Sequence, residues 1–314
     1  MSPAAPQLDC PLDRGLMGLV QQRLENALYH HRGLVRKGSA FLLRAPKWWA
    51  RTTARGDAYL ARPPVLSNSF PKSGTHLLDQ VVGGLPDRSN YGGFLASMTS
   101  SFQMRRRSER AIVRYIRATA PGENVRAHLY FRPEYIAELA RLNFVHYFIY
   151  RDPRDVIVSS CHYLREINPW HRLGRHFRAC RTLEEAILLS IRGLQHVDPR
   201  IPLPNVAERF AAYEGWIACP QACALRFEDL RGPRQPEVLE RLVRYFAARC
   251  ADPPAIDPTV DRLSASIKPE KSHTFRKGAG GGWVEAFTPA CKEAFKEVAG
   301  DLLVRTGYEA DNNW

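Results

Sequence analysis

Two short runs in this 314-residue chain join fixed positive charge to backbone opened by glycine. One is Ser69-Phe70-Pro71-Lys72-Ser73-Gly74-Thr75, the other Arg276-Lys277-Gly278-Ala279-Gly280-Gly281-Gly282-Trp283. Lysine and arginine bring the charge, and glycine lets main-chain N–H groups come close, which is the chemistry that holds phosphate-like groups. The first run follows an apolar segment, Pro64-Val65-Leu66, and precedes a helix-like one, Thr75 to Val82. A loop so placed aims N–H donors and the positive end of a helix dipole at an anion. Two such sites far apart in sequence predict one ligand with two separate anionic ends. A third signal is the stretch from Val145 to Ser159, in which a buried strand ends on Arg151 and Asp152-Pro153 opens a helix. Arg151 then lies at a strand's carboxyl edge, where open α/β sheets bind ligands, and Ser159 two helical turns on. The guanidinium is a planar donor fork that suits phosphate. Singly, these runs also read as an ordinary strand-to-helix turn and an arginine salt-bridged beside a helix cap. The first run is not the GxxxxGK[ST] form, because its lysine precedes the glycine.

The elements that position these residues alternate from Pro64 onward, short β-like runs with amphipathic helices, as in an α/β fold with a parallel sheet. The predicted strands are Val65–Phe70, Asn124–Leu129, Phe144–Tyr150 and Ala222–Phe227. The predicted helices are Thr75–Val82, Pro153–Leu164, Leu183–Val197, Val206–Ile217, Pro236–Ala248 and Pro289–Thr306, the last opened by Thr288-Pro289 as cap and first turn. Residues 1–62 form a separate basic, partly amphipathic extension, with ten Lys/Arg against four Asp/Glu. In it Leu16, Val20, Leu24 and Leu28 recur every four residues, the period of a helix face. Phe41-Leu42-Leu43-Arg44-Ala45-Pro46-Lys47-Trp48-Trp49 follows, apolar and aromatic with basic flanks. Two readings stand: a peripheral arm with its tryptophans at an anionic membrane surface, or a helical extension packed on the domain with a solvated basic face.

The net charge of +13 implies an anionic partner, whereas 45% hydrophobic and 25% charged residues are ordinary for a globular chain. No zinc-finger or RNP-like signature accompanies the charge, so a nucleic-acid partner is not expected. The seven cysteines are odd in number, scattered and without a CxxC, which reads as free thiols in a reducing compartment. No apolar run approaches the ~18–20 residues that span a bilayer. Met1 to Cys10 lacks the basic start and apolar block of a secretory signal. The expectation is a cytoplasmic chain, or one peripheral to a membrane.

Together the runs resemble the sulfotransferases that use 3′-phosphoadenosine 5′-phosphosulfate (PAPS), over roughly residues 64–310. In that family the 5′-phosphosulfate loop reads Pro-Lys-Ser-Gly-Thr, as at Pro71, Lys72, Ser73, Gly74 and Thr75. The 3′-phosphate motif has Arg, then Asn/Asp-Pro, then Asp-Val and a Ser eight residues after the Arg, similar to Arg151 through Ser159. The C-terminal Arg-Lys-Gly-x-x-Gly-x-Trp is matched by Arg276, Lys277, Gly278, Gly281 and Trp283. The resemblance implies a P-loop-like three-layer fold, a central parallel sheet flanked by helices. It further implies that residues 63–314 are a sulfotransferase domain with PAPS as donor cosubstrate and no metal. By it, Lys72 and the loop backbone to Thr75 hold the phosphosulfate, and Arg151, Ser159, Arg276, Lys277 and Gly278 the 3′-phosphate. The family's catalytic base is a histidine in a Lys-Thr-His-Leu-Pro segment, which Val125-Arg126-Ala127-His128-Leu129 resembles, with Arg126 for the lysine and His128 for the base.

The chain departs from that pattern in three places. His76-Leu77 stands where the animal cytosolic branch has a tryptophan that stacks on adenine, and Leu129-Tyr130 replaces Leu-Pro. Phe227-Glu228-Asp229 replaces Tyr-Glu-Asp, so ring contact with the base is kept at Phe227 without a hydroxyl. In the implied mechanism neutral His128 takes the proton of an acceptor hydroxyl, Lys72 stabilises charge on the bridging and leaving oxygens, and Ser73 modulates that lysine. The acceptor, a glycan, lipid-linked or small-molecule alcohol, is expected over His128 between Tyr91–Arg107 and His162–His176. The second segment offers Tyr163, Arg165, Trp170, His171 and Arg175. The competing readings are a P-loop-type nucleotide kinase, which needs the Walker lysine order and a metal carboxylate, and a non-catalytic nucleotide- or polyanion-binding protein on the same fold.

Overall fold

Five short strands, four of them buried along most of their length and the fifth at alternate residues, form the centre of the computed structural model, which describes residues 16–30, 32–99, 106–168, 171–195, 203–268 and 280–314. They are β1 Val65–Ser69, β2 Phe94–Ala96, β3 Asn124–His128, β4 Val145–Tyr150 and β5 Cys223–Arg226. Their order is β2-β3-β1-β4-β5, and every pairing is parallel. A parallel sheet covered on both faces needs apolar residues on both, and the strands supply them. Val65, Val145, Tyr147 and Ile149 pack with the helices Thr75–Gly83, Gln235–Ala247 and Ile256–Ser266. Leu66, Val125, Phe148 and Tyr150 pack on the other face with Pro153–His162, Leu183–Arg192, Val206–Glu214 and Pro289–Ala299. The result is the expected three-layer α/β arrangement.

This strand order contains a switch. From β1 the chain leaves toward β2 through a helix on one face, and from β4 toward β5 through a helix on the other. The loops after β1 and β4 therefore diverge, leaving a crevice at the carboxyl ends of two adjacent strands, the usual ligand position in such sheets.

Four of the five strands match the expected runs, and several helices end earlier than expected for local reasons. Gly193 stops the helix that begins at Leu183: its φ is 82°, and a Cβ there would lie 2.5 Å from the Leu203 carbonyl. Gly300, at φ 51°, splits the expected last helix into Pro289–Ala299 and Leu302–Arg305. The helix Pro153–His162 does not run on as α-helix but widens into a π-helix over Tyr163–Ile167.

The described part of the N-terminal extension forms the helices Leu16–Ala27, Gly33–Leu42 and Arg44–Thr52, with a short turn of helix at Ala58–Ala61. Its inner side is packed on the sheet domain: Leu28 and Leu43 are buried with Tyr91 and Ala120. Lys47 Nζ sits 2.6 Å from Glu123 Oε1, a carboxylate with no exposed side-chain surface. The Tyr29 hydroxyl donates to Asp79 Oδ2 at 3.0 Å. Cys161, Cys180, Cys219, Cys223, Cys250 and Cys291 are free thiols.

Candidate active site

The crevice is floored by the turn from β1 into the helix Thr75–Gly83. Lys72 and Gly74 both take left-handed backbone, at φ 69° and 99°. Gly74 is also hemmed in: a Cβ there would lie 2.7 Å from Phe227 Cδ2 and 3.3 Å from Ile149 Cδ1. The Ser73 N–H donates to the Phe70 carbonyl at 3.1 Å, closing the turn. The Ser73 side chain is fully buried, and its hydroxyl finds no partner among the described residues. Leaving a buried hydroxyl unsatisfied costs ~1–3 kcal/mol. The first-turn N–H groups of the following helix also lack intrahelical acceptors. Such a loop suits an oxyanion. Gly74→Ala is expected to cost about 1–3 kcal/mol through positive φ and the Phe227 contact. Urea unfolding checks this: Phe227→Ala in the same chain should recover the contact part of the loss, and full additivity of the two changes would count against the clash.

Lys72 projects from this loop with its Nζ 4.1 Å from the centre of the Tyr163 ring, in the π-helical segment. Burial, and then the neighbouring Arg151 charge, bring its pKa down to about 8. A lysine held on a ring face and short of counter-charge is a strong attractor for an anion.

His128 closes β3, in register with Ala96 of β2, and Phe94 meets its ring edge-on at 5.2 Å. Its position is fixed from β1. Asn68 accepts the Leu129 N–H at 2.8 Å and donates to the Leu129 carbonyl at 3.2 Å, pinning the residue after His128. The His128 Nδ1 lies 2.8 Å from the Ser69 carbonyl oxygen and 3.1 Å from Ser69 Oγ. A carbonyl oxygen only accepts, so Nδ1 carries the proton and the lone pair is on Nε2. Ser69 Oγ in turn lies 2.8 Å from Thr75 Oγ1, coupling the histidine to the anion loop. Burial lowers the His128 pKa to about 4, against the Ser69 hydrogen bond and with His76 and Lys72 adding to the fall. The imidazole is therefore neutral at pH 7. Arg126, two residues back on the same face of β3, is 3.8 Å from Asp79 Oδ2.

Arg151 follows β4 directly. Its guanidinium lies 4.5 Å from the centre of the Phe227 ring and donates to Asp155 Oδ2 at 3.2 Å. Asp155 also accepts the Gly281 N–H at 2.8 Å and the Trp283 N–H at 3.0 Å. One carboxylate thus ties the end of the C-terminal glycine run to the arginine that follows β4. Behind it, Arg154 lies 3.6 Å over the Trp283 ring and 4.8 Å from the Trp314 ring, fastening the chain end to the same helix. Glu228 accepts the Asp152 N–H at 3.1 Å and the Tyr308 hydroxyl at 2.8 Å. Ser159 is half-buried, two turns along the helix from Arg151.

Pro71, Lys72, Ser73, Gly74, Thr75, His128, Arg151 and Phe227 thus gather at the carboxyl ends of β1, β3, β4 and β5, whereas Arg276, Lys277 and Gly278 lie outside the described residues. Of the two acceptor segments, Tyr91 turns away into the cluster with Leu28 and Leu43, while Phe94 and Tyr163 face His128 and Lys72. Arg165 donates to the Thr182 carbonyl, and Trp170 is outside the described residues. Asn68 is functional in position without a sequence motif to mark it, and Ser69 and Asp155, which lie inside the quoted motifs, gain roles there that the motifs do not assign. The one sequence signal was that polar residues occupy three consecutive positions of a buried strand, Ser67 to Ser69.

No protein-family model matches the chain, and no curated protein is similar to it in sequence. Solved structures do match. The mouse sulfotransferase SULT7A1 complexed with PAP superposes with a TM-score of 0.51 at 18% identity, covering 81% of this chain and 87% of that one. A retinol dehydratase in complex with androsterone and the inactive cofactor PAP gives 0.49 at 18% identity, covering 79% and 84%. The first likeness shows the fold: the chain shares the P-loop-like α/β architecture of that sulfotransferase.

Proposed function

We propose that residues 63–314 are a sulfotransferase domain that moves the sulfuryl group of PAPS to an acceptor hydroxyl. The observation that carries this reading is the convergence of Lys72, His128, Arg151 and Phe227 on one crevice, with the glycine run tied in by Asp155. The resemblance of the three motifs to that family, and the bound product in the neighbour of the same fold, support it. The residues fit such a ligand: a buried Ser73 hydroxyl with no partner among the described residues, a glycine where a side chain is disfavoured, and two neighbouring cations, Lys72 in the loop and Arg151 after β4.

In this reading His128 Nε2 takes the acceptor proton as the hydroxyl oxygen bonds to sulfur. Lys72 and the loop N–H groups stabilise the electron pair that the breaking S–O bond leaves on the 5′-phosphate oxygen. Arg151, Ser159, Arg276, Lys277 and Gly278 hold the 3′-phosphate, and Phe227 packs on the nucleotide. Transfer of this kind passes through a loose in-line transition state with charge on equatorial oxygens, by analogy with phosphoryl transfer. Fixed cations and oriented donors then serve without a metal. The acceptor is a glycan, lipid-linked or small-molecule alcohol, and the reaction is placed in the cytoplasm. No helix among the described residues is long and apolar enough to cross a membrane.

Isothermal titration with adenosine 3′,5′-bisphosphate, against ATP plus Mg²⁺, tests the reading. Metal-independent binding at micromolar or tighter affinity, preferred over ATP, is the expected result. Preference for ATP with Mg²⁺ would replace the reading with a kinase-like one.

A further inference from the structure

The helices Gly33–Leu42 and Arg44–Thr52 meet at Leu43, whose ψ of −7° interrupts the helix, and Pro46 has no N–H to give the Leu42 carbonyl, so they are two short helices joined at a break. The Leu43 N–H donates to the Ser39 carbonyl at 2.9 Å, and the Lys47 N–H to the Leu43 carbonyl at 3.1 Å, both at helical spacing. Along an α-helix, residues seven apart stay within ~20° of one another. The rule holds within each helix and not across the break. In the first helix Leu34 lies in line with Phe41, and Val35 with Leu42; the second helix carries Trp48 and Trp49. Leu34, Phe41, Leu42, Trp48 and Trp49 are between 56% and 86% exposed. Lys37 in the first helix and Arg44 and Arg51 in the second are also exposed and in no ion pair among the described residues. The opposite side is the one buried on the domain, through Ser39 and Leu43.

Burial of the inner side does not explain the outer one. A folded domain rarely leaves two tryptophans, a phenylalanine and two leucines together in water. The charge pattern says what covers them. From Gly33 to Gly56 there are six basic residues and no acidic one. A second copy of this helix pair would bring like charges side by side. A nucleic acid would satisfy the basic residues and leave the aliphatic ones wet. A lipid surface with anionic headgroups satisfies both, with the apolar residues at the acyl boundary, the tryptophans at headgroup level and the basic residues on the phosphates. We propose that this face docks the protein on an anionic membrane surface, parallel to the bilayer plane. Leu43 and the Lys47–Glu123 pair anchor the junction of the two helices and the second helix to the domain, so membrane contact fixes the orientation of the whole domain.

The test is co-sedimentation of the full chain with phosphatidylcholine vesicles, with and without phosphatidylserine, and tryptophan emission read in parallel. Binding to the phosphatidylserine vesicles, weakened by salt and joined by a blue shift, is expected. Lys37→Gln/Arg44→Gln/Arg51→Gln should weaken partitioning by about 100-fold at low salt, from roughly one lost headgroup attraction per residue. Phe41→Ser/Trp48→Ser/Trp49→Ser should weaken it by at least about tenfold and abolish the blue shift. Both variants should bind adenosine 3′,5′-bisphosphate as the parent does, which guards against misfolding and separates this proposal from the one on the crevice. Parent protein left in the supernatant with anionic vesicles would overturn the proposal. So would variants that partition as the parent does, or a vesicle-independent dimer that the serine variant dissolves.

Discussion

His128→Ala is expected to lower turnover by about 10²–10⁴-fold, the usual worth of a positioned general base, while adenosine 3′,5′-bisphosphate binds as before. The Ser69 carbonyl fixes the tautomer, so the ring presents Nε2 as a lone-pair acceptor. Nothing in that geometry requires the ring to touch the nucleotide. The acid limb of the parent's activity should follow the depressed pKa of about 4 rather than the ordinary value near 6.5. The sign follows from burial: the charged imidazolium is disfavoured, so the ring keeps its lone pair as pH falls through 6 and 5. The same depression makes folding pH-sensitive in the matching direction. An unfolded chain takes up the proton near pH 6.5 and the folded one does not, so this stabilising contribution is full above 6.5 and fades as pH falls toward 4. Initial rates from pH 4.5 to 7, with titration of the alanine variant, check the assignment. A variant that turns over within twofold of the parent removes His128 from the chemistry, and one that loses nucleotide binding together with turnover reduces it to a structural part.

The sequence was most legible where burial is continuous. β1, β3, β4 and β5 are apolar enough to read as strands, and the loops after two of them, β1 and β4, carry lysine, glycine or arginine in recognisable order. β2 was invisible because three residues, Phe94 to Ala96, hold no periodicity. The helix Glu109–Arg117 was hidden for a different reason. Ser108 caps it and Ile112 and Ile116 bury one face, but the arginines on its other face and just before it read as a charged surface run. The helix Ile256–Ser266 buries only Thr259 and Leu263, too thin a stripe to stand out.

At the site, residue types were legible and their couplings were not. His128 stood out by its neighbours in sequence, yet what sets its tautomer is Ser69, 59 positions away. Asp155 falls inside the Arg151–Ser159 motif, yet its partners are not in it. Only folding brings Gly281 and Trp283 onto it, across 126 and 128 positions. Parallel pairing creates such contacts: β1 and β3 are neighbours with β2 between them in the chain. The N-terminal helix pair lies between these extremes. Its apolar, aromatic run with basic flanks is plain in sequence, but which side faces the domain depends on Leu43 and Glu123.

Lys72→Met is expected to lower turnover by about 10²–10³-fold, the usual worth of one donor aimed at developing oxyanion charge. It should also remove a pH break from donor-site binding. In the free chain burial, then Arg151, hold the Lys72 pKa at about 8. A bound bisphosphate favours the ammonium form, and linkage then requires the nucleotide to bind the protonated lysine more tightly. Affinity for adenosine 3′,5′-bisphosphate should be flat from pH 6.5 to 8. Above pH 8 it should fall toward tenfold per unit, until the proton is taken up on binding no longer. An unperturbed lysine would keep affinity flat to about pH 10. Tyr163 enters the same argument, because its ring face at 4.1 Å favours the ammonium. Tyr163→Phe should leave the break in place, and Tyr163→Leu should move it to lower pH. Calorimetric titrations from pH 6.5 to 9.5 read all three. A parent curve without a break, or the same break in Lys72→Met, would mean that another group governs the site. An unmoved break in Tyr163→Leu would mean that the ring merely covers the lysine. With both tests passed, the lysine of the anion loop is held uncommitted on an aromatic face until an anion takes it.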